Sequence, residues 1–269
     1  MNYDGKVVWI TGASSGVGAG LATAFGEAGA RVVLSARRPV ELETVAKTVP
    51  AGRSMVLPLD VTDYAALPGA VDAVMSRFGR IDMLLCNAGI SHRCRIADMT
   101  LDVFRQVIEV DLLAPIAHIK AVLPLMREQR AGHVVVTSSV AGKFGIPNRG
   151  AYCAVKHGIH GFCDALRAEE SVNGIQVSTL VIAAVRSDVN ENALTATGER
   201  FGKKSKWGAN AGLDAVVAGR QMLQQLAAGR EEVLCVANWR ASMPLWQQRL
   251  WPRLVYERMA KLAVSKYWQ

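Results

Sequence analysis

The feature that most constrains this 269-residue chain is a rhythm, in which short unbroken apolar runs alternate with stretches of helical spacing. Residues 6–11, 31–36, 54–59, 81–87, 133–138 and 175–183 are rich in Val, Ile or Leu. A run that is apolar throughout, rather than at every second residue, reads as a strand covered on both faces. Between these runs lie 18–30, 40–48, 64–78 and 102–127, long enough and suitably patterned for helices. A seventh run, 232–237, follows a helical stretch around 213–226. Such alternation produces right-handed crossovers. The predicted fold is α/β: a doubly wound, seven-stranded parallel sheet with helices on both faces. Residues 1–238 form one domain, and 239–269 a carboxy-terminal extension.

Composition narrows the class. An apolar share of 51% supplies a full-sized core and excludes disorder for most of the chain. Charges and glycines interrupt every apolar run well short of the roughly 18 residues that a membrane span needs. Residues 1–5 are polar and a strand pattern begins at once, so no secretory signal is expected. The five cysteines, Cys86, Cys94, Cys153, Cys163 and Cys235, are odd in number and contain no C-x-x-C pair. That argues against a disulfide framework and a zinc site, and points to a reducing, cytoplasmic setting. His157 and His160 are three residues apart but lack a third ligand at sensible spacing, so no metal is expected.

The net charge of +8 is uneven. In 239–269, Arg240, Arg249, Arg253, Arg258, Lys261 and Lys266 face a single acid, Glu257, a local balance of +5. The remaining body is nearly neutral and carries no nucleic-acid footprint. Two stretches break the alternating pattern. Residues 187–212 read as a polar loop containing Lys203, Lys204 and Gly208, and a loop of that length usually has a function. The tail holds Trp239, Trp246, Trp251 and Trp268. A helix over 244–264 would align Trp246, Leu250 and Leu254 in one row and Trp251, Val255, Met259 and Leu262 in another. Packing against the body or a second subunit, contact with a membrane surface, and disorder all remain open for it.

The first strand runs into Thr11-Gly12-Ala13-Ser14-Ser15-Gly16-Val17-Gly18, directly ahead of a helical pattern. Glycines there let the backbone turn sharply and approach a pyrophosphate, while the helix amino terminus offers free N–H groups. The second strand ends Ser35-Ala36-Arg37-Arg38, without the carboxylate that usually meets a ribose 2′-hydroxyl. A guanidinium can instead grip a 2′-phosphate. NADP(H) is therefore expected rather than NAD(H). Tyr152 and Lys156 lie four residues apart in a helical stretch, 151–170, and so share a face. A neighbouring ammonium favours a phenolate.

The G-x-x-x-G-x-G spacing at Gly12, Gly16 and Gly18 resembles the single-domain branch of the short-chain dehydrogenase/reductase family. Asp60-Val61, Asn87-Ala88-Gly89, Ser139 and Tyr152-Cys153-Ala154-Val155-Lys156 follow in the same order, so the likeness spans about residues 6–237. It implies a Rossmann-type fold. It also implies a phosphate loop of Gly12, Ser14, Ser15, Gly16, Val17 and Gly18, with Arg37 and Arg38 at the 2′ position. Asp60 and Val61 would meet the adenine, and Asn87, Ala88 and Gly89 would line the adenosine ribose side. Tyr152 would be the general acid/base, Lys156 would also hold the nicotinamide ribose, Ser139 would bond the substrate oxygen, and Ser187 would approach the carboxamide. Ser138 is the adjacent alternative to Ser139, but strand neighbours point to opposite faces.

The resemblance also implies a small carbonyl or alcohol substrate, taken as hydrophobic from the tail. It implies a homodimer or homotetramer through 102–127 and 151–170. Three departures stand out. Asp111 occupies a position where the family often has Asn, and joins the candidate catalytic residues. Ile182-Ala183 stands where Pro-Gly is usual, which should alter the turn below the nicotinamide. Cys86 replaces an asparagine before Asn-Ala-Gly, a conservative packing change. The first two leave a rival reading open, a sensor or scaffold that binds NADP(H) and turns over little.

Overall fold

The computed structural model describes residues 2–203, 212–237 and 239–264, with backbone alone at Arg240 and Ala241. Lys204, Gly208, Lys266 and Trp268, singled out above, lie outside the described residues. Seven parallel strands form one sheet: β1 Val7–Thr11, β2 Arg31–Ser35, β3 Ser54–Val56, β4 Met83–Cys86, β5 Gly132–Ser139, β6 Ile175–Ile182 and β7 Glu232–Cys235. Their spatial order is β3-β2-β1-β4-β5-β6-β7. The direction of winding reverses between β1 and β4, which opens a crevice at the carboxyl ends of the strands.

The crossovers are α1 Gly16–Glu27, α2 Pro39–Ala46, α3 Leu67–Phe78, α4 Leu101–Ile108, α5 Ala114–Glu128, α6 Gly150–Glu170 and α7 Ala215–Ala227. Two more helices, α8 Trp239–Leu250 and α9 Pro252–Ala263, close the described chain. The unbroken apolar strands are explained by their two covers. Val8 and Ile10 of β1 belong to a cluster with Leu21, Phe25, Met222 and Leu226 from α1 and α7. Val7 and Trp9 point the other way, into a cluster with Val74, Ile119 and Ile159 from α3, α5 and α6. Helices α1 and α7 cross with their backbones almost touching, because a Cβ on Gly219 would lie 2.4 Å from the carbonyl oxygen of Gly20.

Two expected helices are divided. The stretch 102–127 contains a wide turn, Glu109–Leu113, between α4 and α5, and Asp111 sits within it. Wide turns of this kind cluster at functional sites. The tail is not one helix, because Pro252 drives Trp251 out of helical geometry (φ −140°, ψ 67°) and starts a second. Leu254 therefore belongs to a different helix from Trp246 and Leu250. The second row survives from Val255 onward: Val255 is buried, Met259 and Leu262 are half-buried, and Trp251 is exposed.

Candidate active site

Three glycines shape the loop between β1 and α1, each for its own reason. Gly12 (φ 67°) and Gly16 (φ 55°) adopt left-handed geometry, and a Cβ on Gly12 would lie 2.7 Å from the Cα of Ala88. Gly18 packs beneath the loop, where a Cβ would meet the Gly12 carbonyl oxygen at 2.2 Å. Helix α1 starts at Gly16 with no side-chain cap from Ser15 and no acid in its first turn. Its leading N–H groups are thus left for an anion, as a pyrophosphate requires.

Asn87 staples this loop to the sheet. Its Nδ2 donates to the carbonyls of Thr11 (3.2 Å) and Gly12 (3.3 Å), while Thr137 Oγ1 donates to its Oδ1 (3.3 Å). The N–H groups of Asn87 and Ala88 both donate to Thr11 Oγ1. At the lip, Arg38 Nη2 donates to Ser14 Oγ (2.9 Å) and Ser15 Oγ (3.2 Å), and Arg37 approaches Asp60 at 4.0 Å. Asp60 accepts from the Thr62 N–H and hydroxyl, and the N–H bond is the main cause that holds its carboxyl below the usual range.

At the other end, Lys156 stands on α6 with its Nζ 5.5 Å from the Tyr152 ring centre. The Nζ donates to the Thr137 carbonyl (3.0 Å) and pairs with Asp111 Oδ2 (3.0 Å). Side-chain exposure is 5% for Lys156 and 0% for Asp111, so this ion pair is withdrawn from water. Asp111 Oδ1 accepts the Ile90 N–H at 2.7 Å. Burial drives the Asp111 carboxyl above the usual carboxylate range, against the pull of the Lys156 charge. On Lys156 burial opposes the ammonium, but Asp111 and Tyr152 outweigh it and hold that group above its ordinary range.

Strand β5 separates its two terminal serines as the pleat demands. Ser138 is buried and bonds His160 Nε2 at 3.0 Å, while Ser139 is half-buried and its Oγ accepts the Ala141 N–H; both belong to the cleft lining. His157 bonds the Cys153 carbonyl. Among the described residues, no group of three or more His, Cys, Asp or Glu is placed to hold a metal. The turn after β6, without Pro-Gly, is made with no left-handed residue between Ala183 and Ser187, and the Ala183 N–H donates to the Cys235 carbonyl.

With one exception, the residues expected at the site line a single cleft of about 1220 Å³. Gly12, Ser14, Ser15, Gly16, Val17, Arg37, Arg38, Asp60 and Val61 form one end of that set. Asn87, Ala88, Gly89, Asp111, Ser139, Tyr152, Lys156 and Ser187 complete it. The exception is Gly18, which acts from below. A phosphate cradle, a ribose-facing rim and a hydroxyl–phenol–ammonium group in one crevice can hold a nicotinamide dinucleotide and move a proton beside it.

The roles of five residues escaped the sequence reading. Thr11 and Thr137 hold Asn87 and Lys156 through the bonds described above. Arg149, three residues before Tyr152, lines the cleft and donates to Ser91 Oγ and Asn190 Oδ1. Burial holds its guanidinium below the ordinary arginine range. Met259 of α9, with Leu262, forms part of the cleft wall; the inward row of the tail carried that signal, but nothing in its spacing said what it faced.

A family model described as short chain dehydrogenase matches residues 6–197. The chain is 39% identical over 267 residues to a Drosophila melanogaster protein named dehydrogenase/reductase SDR family protein 7-like, covering 97% of this chain and 81% of that one. It is 36% identical over 265 residues to the rat protein named dehydrogenase/reductase SDR family member 7B, covering 96% and 81%. Among solved structures, a short-chain dehydrogenase from Streptomyces avermitilis superposes with a TM-score of 0.81 at 26% identity, covering 96% of this chain and 97% of that one. A short chain dehydrogenase/reductase from Burkholderia phymatum, solved in complex with NAD, shares the fold at a TM-score of 0.82 and 22% identity, covering 96% of each chain.

Proposed function

We propose that this chain, which belongs to the short-chain dehydrogenase/reductase family, is an NADP(H)-dependent oxidoreductase that interconverts an alcohol with a ketone or aldehyde. The observation that carries this reading is Ser139, Tyr152 and Lys156 sharing one cleft with the phosphate loop at Gly12–Gly18. When bound, the dinucleotide would give the hydride in reduction and accept it in oxidation. The chain's own residues position the other reactant and move its proton. Ser139 Oγ and the Tyr152 hydroxyl face the oxygen on which charge develops. In reduction Tyr152 gives its proton to that oxygen, and in oxidation it takes the proton back. The Lys156 Nζ stands 5.5 Å from the centre of its ring, which sets a positive charge beside the group that exchanges the proton. Asp111 keeps the lysine protonated and fixed, and this extends its role beyond that of a neutral amide.

Arg38 supports NADP(H) over NAD(H), because its guanidinium already bonds the hydroxyls of Ser14 and Ser15 at the loop where a 2′-phosphate would lie. Phe144, Ile146, Val189, Leu194, Met259 and Leu262 line the cleft and support a hydrophobic carbonyl substrate. Ala154, Gly158, Gly161, Ala165 and Ala168 form an exposed stripe of small residues along α6. That flat face supports a homodimer or homotetramer, with Gly161→Arg expected to shift the sedimentation coefficient to that of a smaller species.

The test is NADPH oxidation across a panel of ketones and aldehydes, with Tyr152→Phe as control. Turnover with wild type and a loss of about 100-fold or more in the variant is expected, with NADPH binding retained. NADPH binding without Tyr152-dependent turnover on any carbonyl would instead assign a sensor or scaffold.

A further inference from the structure

The described tail presents an apolar face to solvent. On α8, Met243, Trp246 and Leu250 recur at helical spacing and are 37%, 61% and 59% exposed, and Trp239 extends the same row. Trp251 and Leu254 continue the apolar surface into α9. A contiguous exposed patch of this kind marks a surface that something covers. The opposite side of α9 is committed to the body, with Val255 buried and Met259 and Leu262 set in the cleft wall. The pair is therefore held in place with its tryptophans outward.

Charge identifies the occupant. Arg249, Arg253 and Lys261 are exposed beside the patch, and Arg258 donates to Gln247 across the helix pair. Glu257 is the single acid of the tail and is already paired with Arg253 at 3.0 Å. A second copy docked through this same face would set arginine against arginine, because a two-fold contact opposes each patch with itself. An anionic lipid surface has the opposite sign, accepts tryptophan at its headgroup level and receives aliphatic side chains below it. Among the described residues no helix is long and apolar enough to cross a membrane.

We infer that the outer face of α8 and the start of α9 dock this protein on an anionic lipid bilayer. The docked face lies across α9 from Met259 and Leu262 in the cleft wall. This inference does not rest on the redox assignment.

Full-length protein is sedimented with phosphatidylcholine vesicles, with and without phosphatidylglycerol, at low and high salt. Binding to the anionic vesicles at low salt, weakened by salt, is expected. The Arg249→Gln/Arg253→Gln variant should lower the partition coefficient by about 5-fold per arginine removed, the weight of one basic residue at an anionic surface. Trp246→Glu/Leu250→Glu should abolish partitioning, with circular dichroism and NADPH binding unchanged because both side chains face solvent. Equal partitioning of wild type and both variants, or no partitioning of wild type, would overturn the inference. So would a lipid-free oligomer that Trp246→Glu/Leu250→Glu dissociates, since that would assign the face to a second copy.

Discussion

Replacing Lys156 with methionine keeps most of the aliphatic stem but leaves the Asp111 carboxylate, with no side-chain exposure, without its ammonium 3.0 Å away. Removing one partner of a buried pair typically costs about 3–5 kcal/mol. For a chain of this size that is a fall in Tm of roughly 6–20 °C. The loss should depend on pH with a definite sign. Burial already raises the Asp111 carboxyl above its ordinary range, and removing Lys156 takes away the charge that pulls it back. A carboxyl whose folded-state pKa lies above its unfolded value takes up a proton on folding, so its stability contribution is present at low pH and lost as pH rises. Lys156→Met should therefore be mildest near acid pH and worsen toward neutrality. In the double variant Asp111→Asn/Lys156→Met no charge remains unpaired, and Asn can still accept the Ile90 N–H. At least about half of the lost stability should return. Turnover should not return, because the ammonium beside Tyr152 is still missing. Urea unfolding of wild type, Lys156→Met and the double variant across pH, with turnover measured in parallel, provides the check. A single-variant loss below about 1 kcal/mol, or a double variant less stable than Lys156→Met, would refute the argument that this pair is a mutually dependent buried unit.

Other substitutions probe the cofactor site, the buried histidines and the α1–α7 contact. Arg38→Glu should reduce kcat/KM for NADPH by about 100-fold, the weight of lost charge-assisted hydrogen bonds, and leave that for NADH unchanged in steady-state assays. His92 and His133 are buried, and burial pushes both pKa values down to about 4. Each is neutral in the folded protein, so stability is full above the ordinary histidine range and falls as pH drops from about 6.5 toward 4, by up to about 1.4 kcal/mol per pH unit for each ring. Urea unfolding of His133→Gln should show a shallower acid slope than wild type. Gly219→Ala would drive a Cβ to 2.4 Å from the Gly20 carbonyl oxygen, force α1 and α7 apart, and lower stability by at least about 2 kcal/mol in the same assay.

Much of this architecture is legible in the sequence because it rests on local chemistry. The apolar strands read as doubly covered, and Val7/Val8 and Trp9/Ile10 do alternate between two clusters. Gly12 and Gly18 are set by close backbone approaches that exclude a Cβ, and Gly16 by left-handed geometry, so the residues themselves record the geometry. What escaped depends on distant contacts. Nothing in the spacing of 102–127 announces the wide turn that carries Asp111 to Lys156. Pro252 was a visible break, but the amphipathic rows on either side of it are consistent with one helix. Arg149 meets Ser91 and Asn190, partners 58 and 41 residues away, and only the folded chain brings them together.

In the proposed reaction the Tyr152 hydroxyl works beside the reactive edge of a bound nicotinamide. A crystal structure of the NADP⁺ complex measures this directly, as the position of Tyr152 Oη relative to nicotinamide C4. Tyr152 Oη and Ser139 Oγ are expected on the same side of the ring, flanking a gap above C4 wide enough for a carbonyl group. A nicotinamide bound elsewhere in the cleft, or a Tyr152 hydroxyl turned away from C4, would contradict it.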